Sequence, residues 1–201
     1  MDSKSFPSKN ITNKRYSEFN IAYAGSLSFI KEGILDLLIV VDQLIKENYN
    51  IRLNLYGWAN KSTLDRIDNY LIINKLNKYI VYHGNLPHKK VIEEFRTQNL
   101  LILTRPSNLQ TEYGFSTKLA EYMMSGTPVL ATDISDNGLY IKDNINGFLL
   151  EPDNKTILYK KLKYTIKNRD LLYKIGKHAV KTARENFDYA IYRKVLVNYF
   201  F

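Results

Sequence analysis

Apolar positions along the chain alternate between two patterns. Short apolar runs occur at Ile21-Ala22-Tyr23-Ala24, Tyr79 to Tyr82, Leu100-Leu101-Ile102-Leu103, Pro128-Val129-Leu130-Ala131 and Phe148-Leu149-Leu150, and Ile51 to Tyr56 alternates apolar residues with Arg52 and Asn54. Each has glycine, proline or asparagine at or within two residues of an end, so each reads as a strand. Between them the apolar spacing becomes helical. Ile34, Leu37, Leu38, Val41, Leu44 and Ile45 form one stripe. Ser62 to Ile73 reads as a helix capped by Ser62, and Pro87 opens another that runs to Arg96. Glu151-Pro152-Asp153 starts a helical region that continues from Lys155 to Phe201. Leu100 to Leu103 is apolar at every position, as a parallel strand covered on both faces requires.

Strands alternating with helices predict an α/β fold: a Rossmann-like parallel sheet with helices on both faces. The turns at Gly25, Gly57, Gly84, Arg105 and Glu112 would then gather beyond the strand carboxyl ends and surround one crevice. The lead from Met1 to Asn20 is polar and reads as a tail or linker, with one domain spanning residues 21–201.

The chemistry concentrates in Glu112 to Asp133, EYGFSTKLAEYMMSGTPVLATD. A loop, Glu112-Tyr113-Gly114-Phe115, feeds a short helix that Ser116 or Thr117 can cap. Leu119, Tyr122 and Met123 mark its apolar face, and Gly126 ends it. Lys118 and Glu121, three apart, share a face near its start. Free amides at a helix N-terminus attract anions. A lysine there is unfavourable unless an anion is near, so Lys118 reads as a phosphate ligand and Glu121 as a partner for sugar hydroxyls.

Composition narrows the possibilities. The 201 residues include no cysteine, which removes thiol chemistry and disulfides, and no apolar run nears the ~18 residues of a membrane span. Lysine and arginine number 29 against 20 acidic residues, a formal charge of +9. Lys160, Lys161, Lys163 and Lys167 cluster with Tyr159 and Tyr164, a pattern suited to an anionic membrane surface. No zinc-finger spacing or aromatic RNA-binding motif is present, so no specific nucleic-acid partner is expected. Gly-x-Ser-x-Gly and Gly-x-Gly-x-x-Gly are both absent, against a hydrolase and a nicotinamide enzyme. His83 and His88 read as a strand end and a helix start rather than as acid–base groups.

From Gly114 to Val129 the chain resembles the C-terminal, nucleotide-sugar-binding half of GT-B glycosyltransferases of the retaining family-4 group. The likeness extends over roughly Asn20 to Asn186. Tyr23-Ala24-Gly25-Ser26-Leu27 is similar to the opening strand and glycine turn, and Lys31-Glu32-Gly33 to a Lys-Gly signature. Leu55-Tyr56-Gly57 resembles the second strand with its glycine. Val81 to Leu86, with Gly84, Asn85 and Leu86, is similar to the turn that faces the nucleobase. Arg105-Pro106-Ser107 and Asn146-Gly147-Phe148-Leu149 also match in order.

The resemblance implies a nucleotide-diphosphate sugar as donor, no cofactor and no metal, since Asp-x-Asp is absent. It implies that Glu121 binds the ribose and that Lys31 and Lys118 neutralise the diphosphate. Amides around Ser116 and Thr117 would hold the distal phosphate or the sugar, with Gly25, Ser26, Tyr113, Gly114 and Phe115 lining the donor. Two departures stand out. Ser26 replaces the family's usual arginine, leaving Lys118 or Arg105 as substitutes. Tyr113 takes the usual acidic place, with Glu112 one position off. The resemblance also implies an acceptor-binding N-terminal half beyond these residues, so the chain is expected to be a fragment, a truncated gene product or one subunit of a split enzyme. The expected partners are an acceptor sugar or lipid-linked glycan and an N-terminal GT-B half, as domain or subunit. The expected location is cytoplasmic, in contact with the inner membrane face. The expected pathway is bacterial surface polysaccharide synthesis. A non-catalytic nucleotide-sugar-binding subunit or scaffold is the alternative.

Overall fold

The computed structural model describes residues 18–114 and 117–200. Six strands alternate with helices: β1 Phe19–Ala24, α1 Ile34–Lys46, β2 Ile51–Tyr56, α2 Lys61–Ile73, β3 Ile80–Tyr82, α3 His88–Phe95 and β4 Leu100–Leu103. The short α4 Leu109–Glu112 precedes α5 Thr117–Ser125 and β5 Val129–Thr132. Then follow α6 Asn137–Tyr140, β6 Phe148–Leu150, α7 Lys155–Lys167, α8 Arg169–Phe187 and α9 Tyr189–Phe200. The strands form one sheet in the order β3-β2-β1-β4-β5-β6, and every pairing is parallel.

Side chains alternate across each strand and so divide into two cores. Ile21 and Tyr23 of β1, Leu53 and Leu55 of β2, and Leu100 and Ile102 of β4 face α1 and α7, against Leu37, Leu38, Leu158 and Leu162. Ala22 and Ala24, Tyr56, Leu101 and Leu103 face the other way, against Phe95, Leu119, Tyr122, Met123 and Ala179. With both faces covered, β4 has no polar position, as its sequence implied. The sheet order reverses between β1 and β4, since β1 leads outward to β2 and β4 to β5. At such a switch point the loops leaving the two strands diverge and open a crevice.

The structure shifts several expected boundaries. β1 begins at Phe19, which is fully buried, and Glu18 pairs with Arg52 at 2.8 Å, so the polar lead yields to the domain earlier than Asn20. Asn60, not Ser62, caps α2, its Oδ1 accepting the Thr63 amide at 2.8 Å. Glu151 to Asp153 is a loop rather than a helix start. Asp153 has a φ of 56°, and Asn154 caps α7 through the Ile157 amide. The long C-terminal helical stretch is three helices, broken at Asn168 and Asp188. The expected lysine cluster divides: Lys161 pairs with Asp143 and Lys163 with Glu47, whereas Lys160 and Lys167 are exposed. No helix among the described residues is long and apolar enough to cross a membrane.

Gly126 ends α5 at a φ of 80°, and its carbonyl lies where a Cβ at Gly176 of α8 would go. Gly176→Ala should therefore destabilise the domain by about 1–3 kcal/mol through overpacking, although alanine is favoured by ~1 kcal/mol in an unpacked helix. Urea unfolding decides the sign; a raised midpoint would mean that α8 does not close on this turn.

Candidate active site

Three turns at the strand ends are laced together through glycines. The Gly25 amide donates to the Tyr56 carbonyl at 2.9 Å, and the Gly57 amide to the Gly84 carbonyl at 2.8 Å. Gly25 and Gly57 take φ values of 149° and 121°, which side-chain-bearing residues rarely adopt. A Cβ at Gly57 would strike the Gly25 carbonyl, and one at Gly25 would strike the Lys118 ammonium. Lys118 thus fills the hollow that the first glycine leaves open.

Lys118 reaches this hollow from the first turn of α5, and its Nζ meets two groups. It donates to the Tyr23 hydroxyl at 2.8 Å and pairs with Glu32 Oε1 at 2.9 Å. Tyr23 donates in turn to the Ser26 carbonyl at 2.8 Å, which orients its oxygen as an acceptor. Glu32 is 1% exposed. Its carboxylate also receives Arg105, Nε to Oε2 at 3.3 Å and Nη2 to Oε1 at 3.4 Å. Arg105 follows β4, so the pair spans the β1/β4 switch point. Gly33, φ 63°, presses against the Thr104 carbonyl and pins the turn that carries Lys31 and Glu32.

The charge balance is positive. One buried carboxylate faces two cations, with Lys31 close by. Burial is the main influence on Lys118 and pushes its pKa below the usual lysine value; Glu32 opposes that, while Arg105 and Lys31 push it further down. Burial, reinforced by Glu32, raises the Tyr23 phenol well above its ordinary range. Tyr122, wholly buried beneath the site, accepts the Ala24 amide at 2.7 Å and donates to the Ala24 carbonyl at 3.2 Å, fixing the end of β1.

Glu121 lies farther along the same helix and faces another way. Its Oε1 is 3.1 Å from Nε2 of His88, the first residue of α3, and its side chain is 31% exposed. The sequence placed His88 at a helix start but gave no sign of this partner. Gly84, Asn85 and Leu86 lead into α3; Gly84 has a φ of 72°, with open space where a Cβ would stand. Glu121 and the turn of Gly84 to Leu86 are therefore brought to one side of the crevice by α3. Ser26 and Thr117 are exposed at its mouth, and Tyr113 is 85% exposed just after α4. Gly114 follows it, packed against the Gln110 carbonyl. Phe115 and Ser116, with the proposed Ser116 cap, lie outside the described residues. Glu112 is engaged by the Ser107 hydroxyl. No cluster of metal-ligating side chains occurs among the described residues.

Glu32 is the residue that sequence reading missed. It stood inside Lys31-Glu32-Gly33, of which only Lys31 was given a role, and its partners lie far along the chain. The available signal was its charge: an acidic residue beside Lys31, in a turn expected to hold a diphosphate, must answer some nearby cation.

The family model for glycosyl transferases group 1 matches residues 6–182. A poly(ribitol-phosphate) alpha-N-acetylglucosaminyltransferase of Staphylococcus aureus is 30% identical over 159 residues, 76% of this chain and 29% of that protein. Anabaena HepE, solved with UDP and glucose, superposes with a TM-score of 0.81 at 17% identity, over 98% of this chain and 54% of that one. The C-terminal domain of a group 1 glycosyl transferase from Francisella tularensis superposes at 0.77 with 20% identity, over 94% and 98%. The chain spans 42% and 29% of the lengths of the curated relatives it matches.

Two outcomes check this geometry. Tyr122→Phe strands the buried Ala24 amide and should cost about 1–3 kcal/mol on chemical denaturation; an unchanged midpoint would mean that the hydroxyl does not tie down β1. His83 stacks on Tyr56 at 4.6 Å, and burial, helped by Arg52, holds its imidazole below the usual histidine range despite the pull of Glu94. Between the folded and unfolded pKa the unfolded chain binds more protons, so this contribution to stability is lost as pH falls through that window. An NMR titration should place the His83 midpoint below that of an unfolded histidine; a midpoint above it would contradict the stacked arrangement.

Proposed function

This chain belongs to the glycosyl transferases group 1 family, and we propose that it forms the donor-binding half of a glycosyltransferase. The observation that carries this reading is the convergence of Lys118 and Arg105 on a single buried carboxylate at the switch point. That arrangement leaves a net positive charge beside a glycine turn, and a nucleoside diphosphate is the anion that suits it. Lys118 occupies the hollow at Gly25 and so stands in for the cation that Ser26 does not supply. When the sugar's anomeric carbon parts from the diphosphate, negative charge builds on the phosphate oxygens. Lys118, Lys31 and the first amides of α5 would stabilise that charge, with little reorganisation at Lys118, whose ammonium Glu32 and Tyr23 already hold. Glu121 takes the ribose hydroxyls, and the backbone of Gly84 to Leu86 meets the base.

Several finer features belong to the same proposal. Transfer proceeds with retention, as in the family-4 group, and without a metal bridging the diphosphate. The acceptor is held by an N-terminal half, as a domain or a separate subunit. Ile30, Trp58, Tyr113 and, on the short α4, Leu109 are exposed apolar residues in the segments beyond the strand ends, a surface that such a half would cover. The similar Staphylococcus aureus transferase acts, by its name, on poly(ribitol-phosphate), and a glycan or polymer acceptor of surface polysaccharide synthesis belongs to the same proposal for this chain. Work at the cytoplasmic face of a membrane would suit the exposed Lys160, Tyr164 and Lys167 of α7.

A thermal-shift and calorimetric panel of uridine, guanosine, adenosine and thymidine diphosphates tests the reading. One of them should raise the melting temperature selectively, by mass action. Glu121→Ala should weaken that ligand about tenfold or more, ~1.4 kcal/mol, with the melting temperature of the free protein held. Lys118→Ala should abolish detectable binding. Full affinity in both variants would remove the site from this crevice.

A further inference from the structure

We propose that Glu32 is a positioning residue of the donor site: its buried carboxylate keeps the Lys118 ammonium charged and fixed at the Gly25 turn before any diphosphate arrives. The inference rests on the donor-site reading above for its purpose, but not for its physics.

The argument starts from the two cations that share Glu32. A guanidinium holds its proton under all ordinary conditions, whereas a buried ammonium readily gives its proton up. The groups facing Lys118 come from every neighbouring element. Tyr23 of β1 offers a neutral hydroxyl, since its phenol is held protonated by burial and by Glu32. Arg105 after β4 and Lys31 before α1 both disfavour a positive Lys118. Tyr122 on α5 is buried and engaged by Ala24, and Glu121 turns to His88. Among these neighbours Glu32 alone supplies a negative charge in contact with the ammonium. Without it, Lys118 would be a mostly buried amine between two positive groups, and the least costly response would be loss of its proton.

Glu32 also fixes direction. Its two oxygens are held by Arg105 and by Lys118, and its carbonyl accepts the Thr104 hydroxyl at 3.4 Å. The carboxylate is therefore anchored to the end of β4 while the lysine arrives from α5. A diphosphate entering at Gly25 meets a cation whose charge and position are already set. A purely structural role, stapling the turn to β4, would lower stability on mutation but would leave the pH dependence of ligand binding alone.

The test separates these outcomes. In ligand-free protein labelled with carbon-13 at lysine Cε, the Lys118 signal, assigned by its loss in Lys118→Arg, should titrate at lower pH in Glu32→Gln than in wild type. Calorimetry with the tightest nucleoside diphosphate of the four above should then show near-equal affinities at acidic pH. The ratio of wild type to Glu32→Gln should widen by up to about tenfold per pH unit once the variant's lysine is neutral. Adding Lys118→Arg to Glu32→Gln should flatten the profile again, because arginine cannot lose its charge. Should Glu32→Gln fail to fold, Glu32→Asp carries the same test with a smaller shift of the lysine titration. An unmoved Lys118 titration, or parallel binding profiles, would overturn the inference. Loss of all nucleotide binding in wild type, with the lysine shift intact, would instead strike the donor-site reading.

Discussion

A single carboxylate, Glu32, joins the two halves of the sheet's carboxyl edge. It sits before α1, receives Arg105 from the end of β4 and Lys118 from the start of α5. Those elements lie on either side of the point where the strand order reverses. Breaking such a buried pair from one side costs on the order of 3–5 kcal/mol, since the remaining charge keeps its desolvation penalty without its partner. An apolar trio would close the same gap more cheaply. Retaining charges at that depth makes physical sense where an anion is to be received.

The frame around this contact is organised by backbone more than by side chains. Parallel strands bring their carboxyl ends to one edge, and the glycines of the first three turns let those turns approach within hydrogen-bond distance. Lys118 then enters from α5 into space that only a glycine at position 25 leaves free. Tyr122, one turn farther along α5, holds the last residue of β1 by both its amide and its carbonyl. The same short helix thus supplies the cation, the tie that places β1, and, at Glu121, a carboxylate facing α3. Displacing α5 would therefore move all three together.

Much of the architecture was legible in the chain because burial on both faces writes itself into composition. Leu100 to Leu103 announced a central parallel strand, and the stripe from Ile34 to Ile45 announced the helix that covers one side of it. Helix ends were harder. Asn60 and Ser62 are both good caps, and only the backbone path chose between them. Pro152 and Asp153 look like a helix start, yet Asp153 takes up a left-handed φ and accepts the Ser107 amide. Around the crevice, the place of Lys118 and Glu121 on one short helix was visible through local spacing, but the shared face expected of them divides, Lys118 turning to Glu32 and Glu121 to His88. The partners of Glu32 and of His88 were not visible, because both depend on pairings between distant segments that no local pattern encodes.

The account's central claim is spatial, and a crystal structure of the chain with its tightest nucleoside diphosphate tests it most directly. A phosphate oxygen should lie about 3 Å from Lys118 Nζ at the Gly25 turn, with the ribose hydroxyls at Glu121. A nucleotide bound elsewhere, with Lys118 still enclosed by Glu32 and Tyr23 alone, would contradict it.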